Sequence, residues 1–172
     1  MRPMLAIVLL ALGAASAHAG APQAAPPARD IPFLIPPTAE NKAVTCRDFR
    51  NRLVRTVDVP DLGDAGRAEF VQGNPIIMFD PALMAGLPDN LQVFFKLHEC
   101  GHHALGHLFA PSTRSEKEAD CWAIKQGRTI AGFTKDDIIA WKPHFATSRG
   151  DTFGHLPGPQ RVEFLLGCFD EE

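Results

Sequence analysis

A mostly helical α+β fold, with a small sheet packed on one long helix, is what this sequence predicts. Leu91, Phe94, Phe95, His98, His102 and Leu105 recur at three- and four-residue steps, the period of a single helix face. Other helical patterns follow to the C-terminus. Ahead of them, two short apolar runs flank Gln72-Gly73-Asn74-Pro75, the pattern of a hairpin or of two short strands joined by a turn.

At the N-terminus, Met1-Arg2 supplies a positive start and Met4 to Ala15 is almost wholly apolar. Ala17-His18-Ala19 then reads as a small-x-small cleavage site. Residues 1–19 are thus expected to be a signal peptide cut after Ala19, and the protein to be secreted or periplasmic. The apolar run is well short of the roughly 20 residues that span a bilayer, so no stable membrane insertion is expected after cleavage. Residues 20–37 hold six prolines and read as an extended Pro/Ala-rich arm. The remainder, 38–172, is the length of one domain with one core. The formal net charge is −3, with lysines and arginines scattered, so nothing marks a nucleic-acid-binding stripe.

Within that domain, Thr38 to Val54 is expected to be a first helix carrying Cys46 and Phe49. Arg67–Val71 and Ile76–Phe79 are the candidate strands. Asp80-Pro81 reads as an N-cap followed by a first-turn proline, opening a short helix that Gly86 ends. Pro88-Asp89-Asn90 begins the strongest helix, which should run to about Phe109 and stop before Pro111. A second long helix should run from Thr113 or Ser115 to about Gln126, with Gly127 as its C-cap. Ser115 and Glu118 read as its capping box. Thr134 opens a third helix that Pro143 ends or bends. Gly150 to Gly158 is a loop, and Pro159 to Phe169 a last helix. Phe94, Phe95, Trp122 and Trp141 are expected in the core.

Chemistry concentrates on the strongest helix. His98-Glu99-Cys100-Gly101-His102 is an H-E-x-x-H sequence, and residues four apart on a helix point the same way. Both imidazoles can therefore reach one zinc ion while Glu99 sits one position round, beside the open coordination position. Zinc lowers the pKa of a bound water, and Glu99 is the base that takes its proton. The third ligand must come from elsewhere. The position ten residues after His98 is Leu108, which excludes the metzincin pattern. Glu116 and Asp120 are four apart and share a face of the next helix, which a short connection folds back against the first. Glu116 is favoured as the ligand and Asp120 as the acceptor that orients a ligand imidazole, with the reverse assignment open. Gly101 and Ala119 are small enough for the two helices to approach closely. His103 and His107 lie on another face and read as surface residues or supports for the ligands.

H-E-C-G-H-H followed by E-K-E-A-D-C-W-A resembles the HExxH…ExxAD pattern of gluzincins. It is similar to the neutral zinc metallopeptidases with H-E-x-G-H-H and E-x-x-A-D-C segments. More distantly it resembles CAAX prenyl proteases with their heat-shock relatives, and ImmA/IrrE-type peptidases. The resemblance implies a zincin-like minimal metallopeptidase domain. It places Glu116 as third ligand and Asp120 as the aspartate that follows. His155-Leu156-Pro157 with Arg161-Val162 resembles the H-P-x-x-x-R-I tail of the prenyl-protease group, apart from an inserted leucine.

The expectation is a zinc metalloendopeptidase acting on a peptide or protein substrate, held along Ala68–Val71 or Ile76–Phe79 by strand addition. The alternatives are a zinc amidase acting on a small or cell-wall amide, and a zinc-binding protein without activity. The negative charge that develops on the substrate oxygen needs a hydrogen-bond donor, and tyrosine is absent from the chain. His155 is the choice, with Arg161 assisting or holding its loop; His144 and backbone N–H groups are the other candidates. The four cysteines, Cys46, Cys100, Cys121 and Cys168, lack C-x-x-C spacing, which argues against a four-cysteine zinc site. In an oxidising compartment two bridges are expected, Cys100–Cys121 and Cys46–Cys168.

Overall fold

The computed structural model describes residues 45–152 and 154–171. The expected signal peptide, the expected arm and the first part of the expected first helix lie outside the described residues. The elements are β1 (Arg55–Asp58), β2 (Gly66–Val71), β3 (Asn74–Phe79), α1 (Pro81–Ala85), α2 (Asp89–Ala104), α3 (Ser115–Ile130), α4 (Lys135–Ala140), α5 (Lys142–Phe145) and α6 (Gly158–Asp170). The architecture is the expected mostly helical α+β fold.

The sheet is ordered β1-β3-β2, with β2 and β3 antiparallel and β1 parallel to β3. Gln72 and Gly73 both have positive φ between the paired Val71 and Asn74, the geometry of a two-residue hairpin turn. Strand β1 escapes a periodicity reading because Arg-Thr-Val-Asp is four residues long and mostly polar.

From Thr45 onward the expected first helix is absent. The chain turns instead, with a bridge between Arg47 and Leu53 and a positive φ at Asn51. Asp48 is the cause: its carboxylate accepts from the backbone N–H of Arg50 and Arg52 at 3.0 and 2.8 Å and from the Arg52 guanidinium. Such local bonds compete with the helix ladder and favour turns.

Helix α2 stops five residues earlier than Phe109, because Gly106 takes a positive φ of 77° and turns the chain. Helix α3 runs past Gly127 instead of ending there. A Cβ at Gly127 would stand 2.1 Å from the Phe133 ring, so this glycine serves close packing rather than a cap. The Ser115/Glu118 capping box is not formed either. Ser115 Oγ accepts from the Ser112 N–H, and Glu118 reaches toward His107. The capping box that does form joins Thr134 and Asp137 at the start of α4. Pro143 sits in the first turn of α5, so the bend falls at Trp141.

Leu91, Phe94, Leu97, Ala123, Ile124, Trp141, Val162 and Leu165 form the main core between α2, α3 and the C-terminal helices. A second cluster, including Val54, Ile77 and Phe79, joins α2 to the sheet. Gly101 permits the close approach of α3: a Cβ there would lie 3.3 Å from the Ala119 Cα.

Two disulfides are present, and both differ from the expected pairs: Cys46–Cys100 and Cys121–Cys168. The reason is rotation about α2. Two residues turn a helix by roughly 200°, so Cys100 faces away from the His98 side that meets α3. It lies among the sheet-side residues with Cys46. Cys121 then pairs with Cys168 on α6. No helix among the described residues is long and apolar enough to cross a membrane.

Candidate metal centre

Helix α2 sends His98 and His102 toward α3, and Glu116 comes from the first turn of α3 to meet them. His98 Nε2 lies 3.2 Å from Glu116 Oε2 and 3.2 Å from His102 Nε2, while His102 Nε2 lies 3.4 Å from Glu116 Oε2. Three ligand-capable atoms thus form a nearly equilateral triangle. His155, on the loop before α6, places Nε2 2.7 Å from the same Glu116 oxygen. His98, Glu116 and His155 also form a group able to hold a metal ion, their ligand atoms within 4.8 Å of one another. The two groups share the His98–Glu116 edge.

Each imidazole is held from behind. His98 Nδ1 donates to Asp120 Oδ1 at 2.8 Å. Asp120 in turn accepts two bonds from Arg161, at 2.9 Å from Nε and 2.6 Å from Nη2. Arg161, expected from the sequence to assist His155 or hold its loop, bonds Asp120 instead. It is buried over the rings of Phe94, Phe95 and Phe145 and fixes Asp120. His102 Nδ1 lies 3.2 Å from His107 Nδ1, and His107 Nε2 lies 3.2 Å from Glu118 Oε2. His155 Nδ1 is 2.5 Å from Asp151 Oδ2, and Asp151 also accepts from the N–H groups of Gly154 and His155. His103 is buried and turned to the sheet, with Nε2 3.0 Å from the Ile76 carbonyl. His144 is exposed at the surface and does not line the cavity.

Ionised carboxylates dominate the electrostatics around the triangle. Burial alone would lower the His98 pKa, but the Asp120 and Glu116 carboxylates outweigh it and push it up to about 9. Burial would raise Glu116, yet hydrogen bonds from His102, His155 and His98 hold it far below the usual carboxylate range. Burial likewise opposes ionised Asp120, but Arg161 and His98 keep it at about 2. His155 is raised, against its burial, by Glu116 and Asp151. A site that draws protons onto imidazoles so placed has the donor set that a metal ion takes up when it displaces them. Glu99 behaves oppositely: burial dominates and raises its pKa, the direction that suits a proton acceptor near neutral pH.

A cavity of about 690 Å³ opens over the triangle. His98, Glu99, His102, Glu116 and His155 line it, together with Gly66, Arg67 and Ala68 of β2. Three consecutive strand residues border it, and β2 is an outer strand of the sheet. Among the described residues, no strand pairs with the other edge of β2. Gly66 sets the spacing, because a Cβ there would lie 2.9 Å from Glu99 Cγ.

His98, Glu99, His102, Glu116, Asp120 and His155 were all expected from the sequence, and the fold brings all of them together. Asp151 was missed, although it stands four residues before His155 in a glycine-flanked loop. Glu118 was expected in a capping box, whereas its carboxylate lies 3.2 Å from His107 Nε2. No protein-family model, no curated protein and no solved structure matches this chain, so its function has to be read from its own residues.

Proposed function

We propose that the protein is an exported zinc metalloendopeptidase, with the metal held by His98, His102 and Glu116 and with Glu99 as general base. One observation carries the reading. Ligands about 2.0–2.1 Å from a tetrahedral zinc stand about 3.3 Å from one another. The triangle edges of 3.2, 3.2 and 3.4 Å match that spacing. The 2.7 Å between His155 and Glu116 is shorter and is a hydrogen-bond length, so His155 is read as a donor beside the ligands rather than as one of them. Nitrogen and carboxylate donors are those zinc accepts in catalytic sites.

Bound zinc would polarise the substrate carbonyl and acidify a water molecule beside it. Glu99 takes the proton from that water at its carboxylate. Its burial against β2 keeps bulk solvent away from the transfer. Asp120 and Arg161 hold the His98 ring, and Asp151 holds His155 Nδ1, so that His155 Nε2–H is aimed at the site. The outer edge of β2, which no strand among the described residues pairs, supports an extended peptide as substrate, since strand addition supplies main-chain hydrogen bonds along such an edge. That feature favours a peptidase over an amidase for small substrates, and the two disulfides support export.

The test is cleavage of an unbiased peptide library by the purified protein, with and without a chelator, beside a panel of small and cell-wall amides. Chelator-sensitive cleavage of internal peptide bonds is expected; turnover of the amides alone would replace this reading with the amidase. His155→Ala should lower turnover about 10²–10³-fold, the usual loss for one donor to a developing oxyanion, with zinc content unchanged. Loss of zinc from that variant would make His155 a ligand, and unchanged turnover would remove it from the reaction.

A further inference from the structure

We infer that His107 and Glu118 are a positioning pair that sets the tautomer and ring orientation of His102. The inference rests on the zinc reading above, and it concerns two residues absent from the cavity lining. The hydrogen positions follow from the far end of the chain of contacts. A carboxylate oxygen accepts hydrogen bonds, so the 3.2 Å contact between His107 Nε2 and Glu118 Oε2 places a hydrogen on Nε2. A neutral imidazole carries one N–H, which leaves His107 Nδ1 with a lone pair. The 3.2 Å contact between the two Nδ1 atoms then requires that His102 be the donor. With Nδ1 committed to His107, Nε2 is the His102 atom left for a metal at the triangle, where it faces His98 Nε2 and Glu116 Oε2.

The backbone explains how His107 arrives there. Gly106 ends the helix at positive φ, and the next N–H, that of His107, bonds the His102 carbonyl at 3.0 Å. This folds His107 back beneath the ring it supports, where it is buried. His98 achieves the same result directly through Asp120, whereas His102 reaches its carboxylate through a second imidazole. Glu118 lies at the surface end, 48% exposed, with Arg114 3.8 Å away. The two ligand histidines are therefore fixed by different means, and only the His102 support extends to solvent.

The experiment measures zinc affinity, by competition with a chromophoric chelator, for wild type, His107→Ala, His107→Asn and Glu118→Ala. Melting temperatures of the metal-free proteins are measured alongside. Removing a group that orients a ligand typically costs about 10–100-fold in affinity, and His107→Ala should lose that much. His107→Asn keeps an acceptor near the position of Nδ1 and should stay close to wild type; Glu118→Ala should fall between the two. The side-chain ¹⁵N spectrum should show His102 protonated at Nδ1 in the zinc-loaded wild type. Equal losses in His107→Ala and His107→Asn, or wild-type affinity in His107→Ala, would reduce His107 to a packing residue and overturn the inference. Should His107→Ala fail to fold, Glu118→Ala decides, and wild-type affinity there overturns it. Wild-type protein that binds no zinc would instead remove the reading of the site itself, and this inference with it.

Discussion

Glu116→Ala is expected to abolish stoichiometric zinc binding, while Asp120→Asn weakens it by about 10–100-fold. Glu116 Oε2 is the atom on which the site converges, within 3.4 Å of the Nε2 atoms of His98, His102 and His155. Asp120 stands behind His98 and touches only its Nδ1 side. The asparagine variant is the milder comparison because it removes the charge of Asp120 but keeps one oxygen acceptor for buried Arg161. Asp120→Ala would leave that guanidinium unpaired, a change that typically costs about 3–5 kcal/mol of stability and would confuse ligand loss with unfolding. Zinc titration with parallel thermal unfolding separates the effects. If Asp120→Asn loses the metal and Glu116→Ala keeps it, the two assignments must be exchanged.

The second large effect is on rate. Glu99→Gln should retain one zinc per chain and lower peptide cleavage by about 10²–10⁴-fold, the usual contribution of a positioned base. Glutamine preserves the shape against Gly66 but cannot take a proton. Glu99 lines the cavity, and its burial raises its pKa, the direction that suits a base. Full chelator-sensitive activity in this variant would mean that another group accepts the proton.

The centre was legible in the sequence because its spacing is helical. His98 and His102, and Glu116 and Asp120, are pairs four residues apart, and a helix turns such pairs to one side. The small residues Gly101 and Ala119 indicated that the two faces could meet. His155 stands out because a chain without tyrosine has few side chains able to donate to a developing oxyanion. The disulfide pairing was not legible, because it depends on how α2 is rotated against the sheet and against α6, which spacing along one helix does not reveal. The first helix failed for a local reason: Asp48 captures backbone N–H groups that a helix would have used. Arg161 illustrates a third limit. Its place in the sequence suggested the His155 loop, but α6 carries it into the core, where Asp120 is the available carboxylate.

The central claim is that the triangle of His98, His102 and Glu116 forms a hydrolytic zinc site, and one titration tests it most directly. Metal-free protein is given increasing zinc while cleavage of a peptide substrate is followed. The account predicts a rate that rises in proportion to bound zinc and levels off at one equivalent per chain. Cleavage that is undiminished without metal, or a protein that binds one equivalent and cleaves nothing, would contradict it.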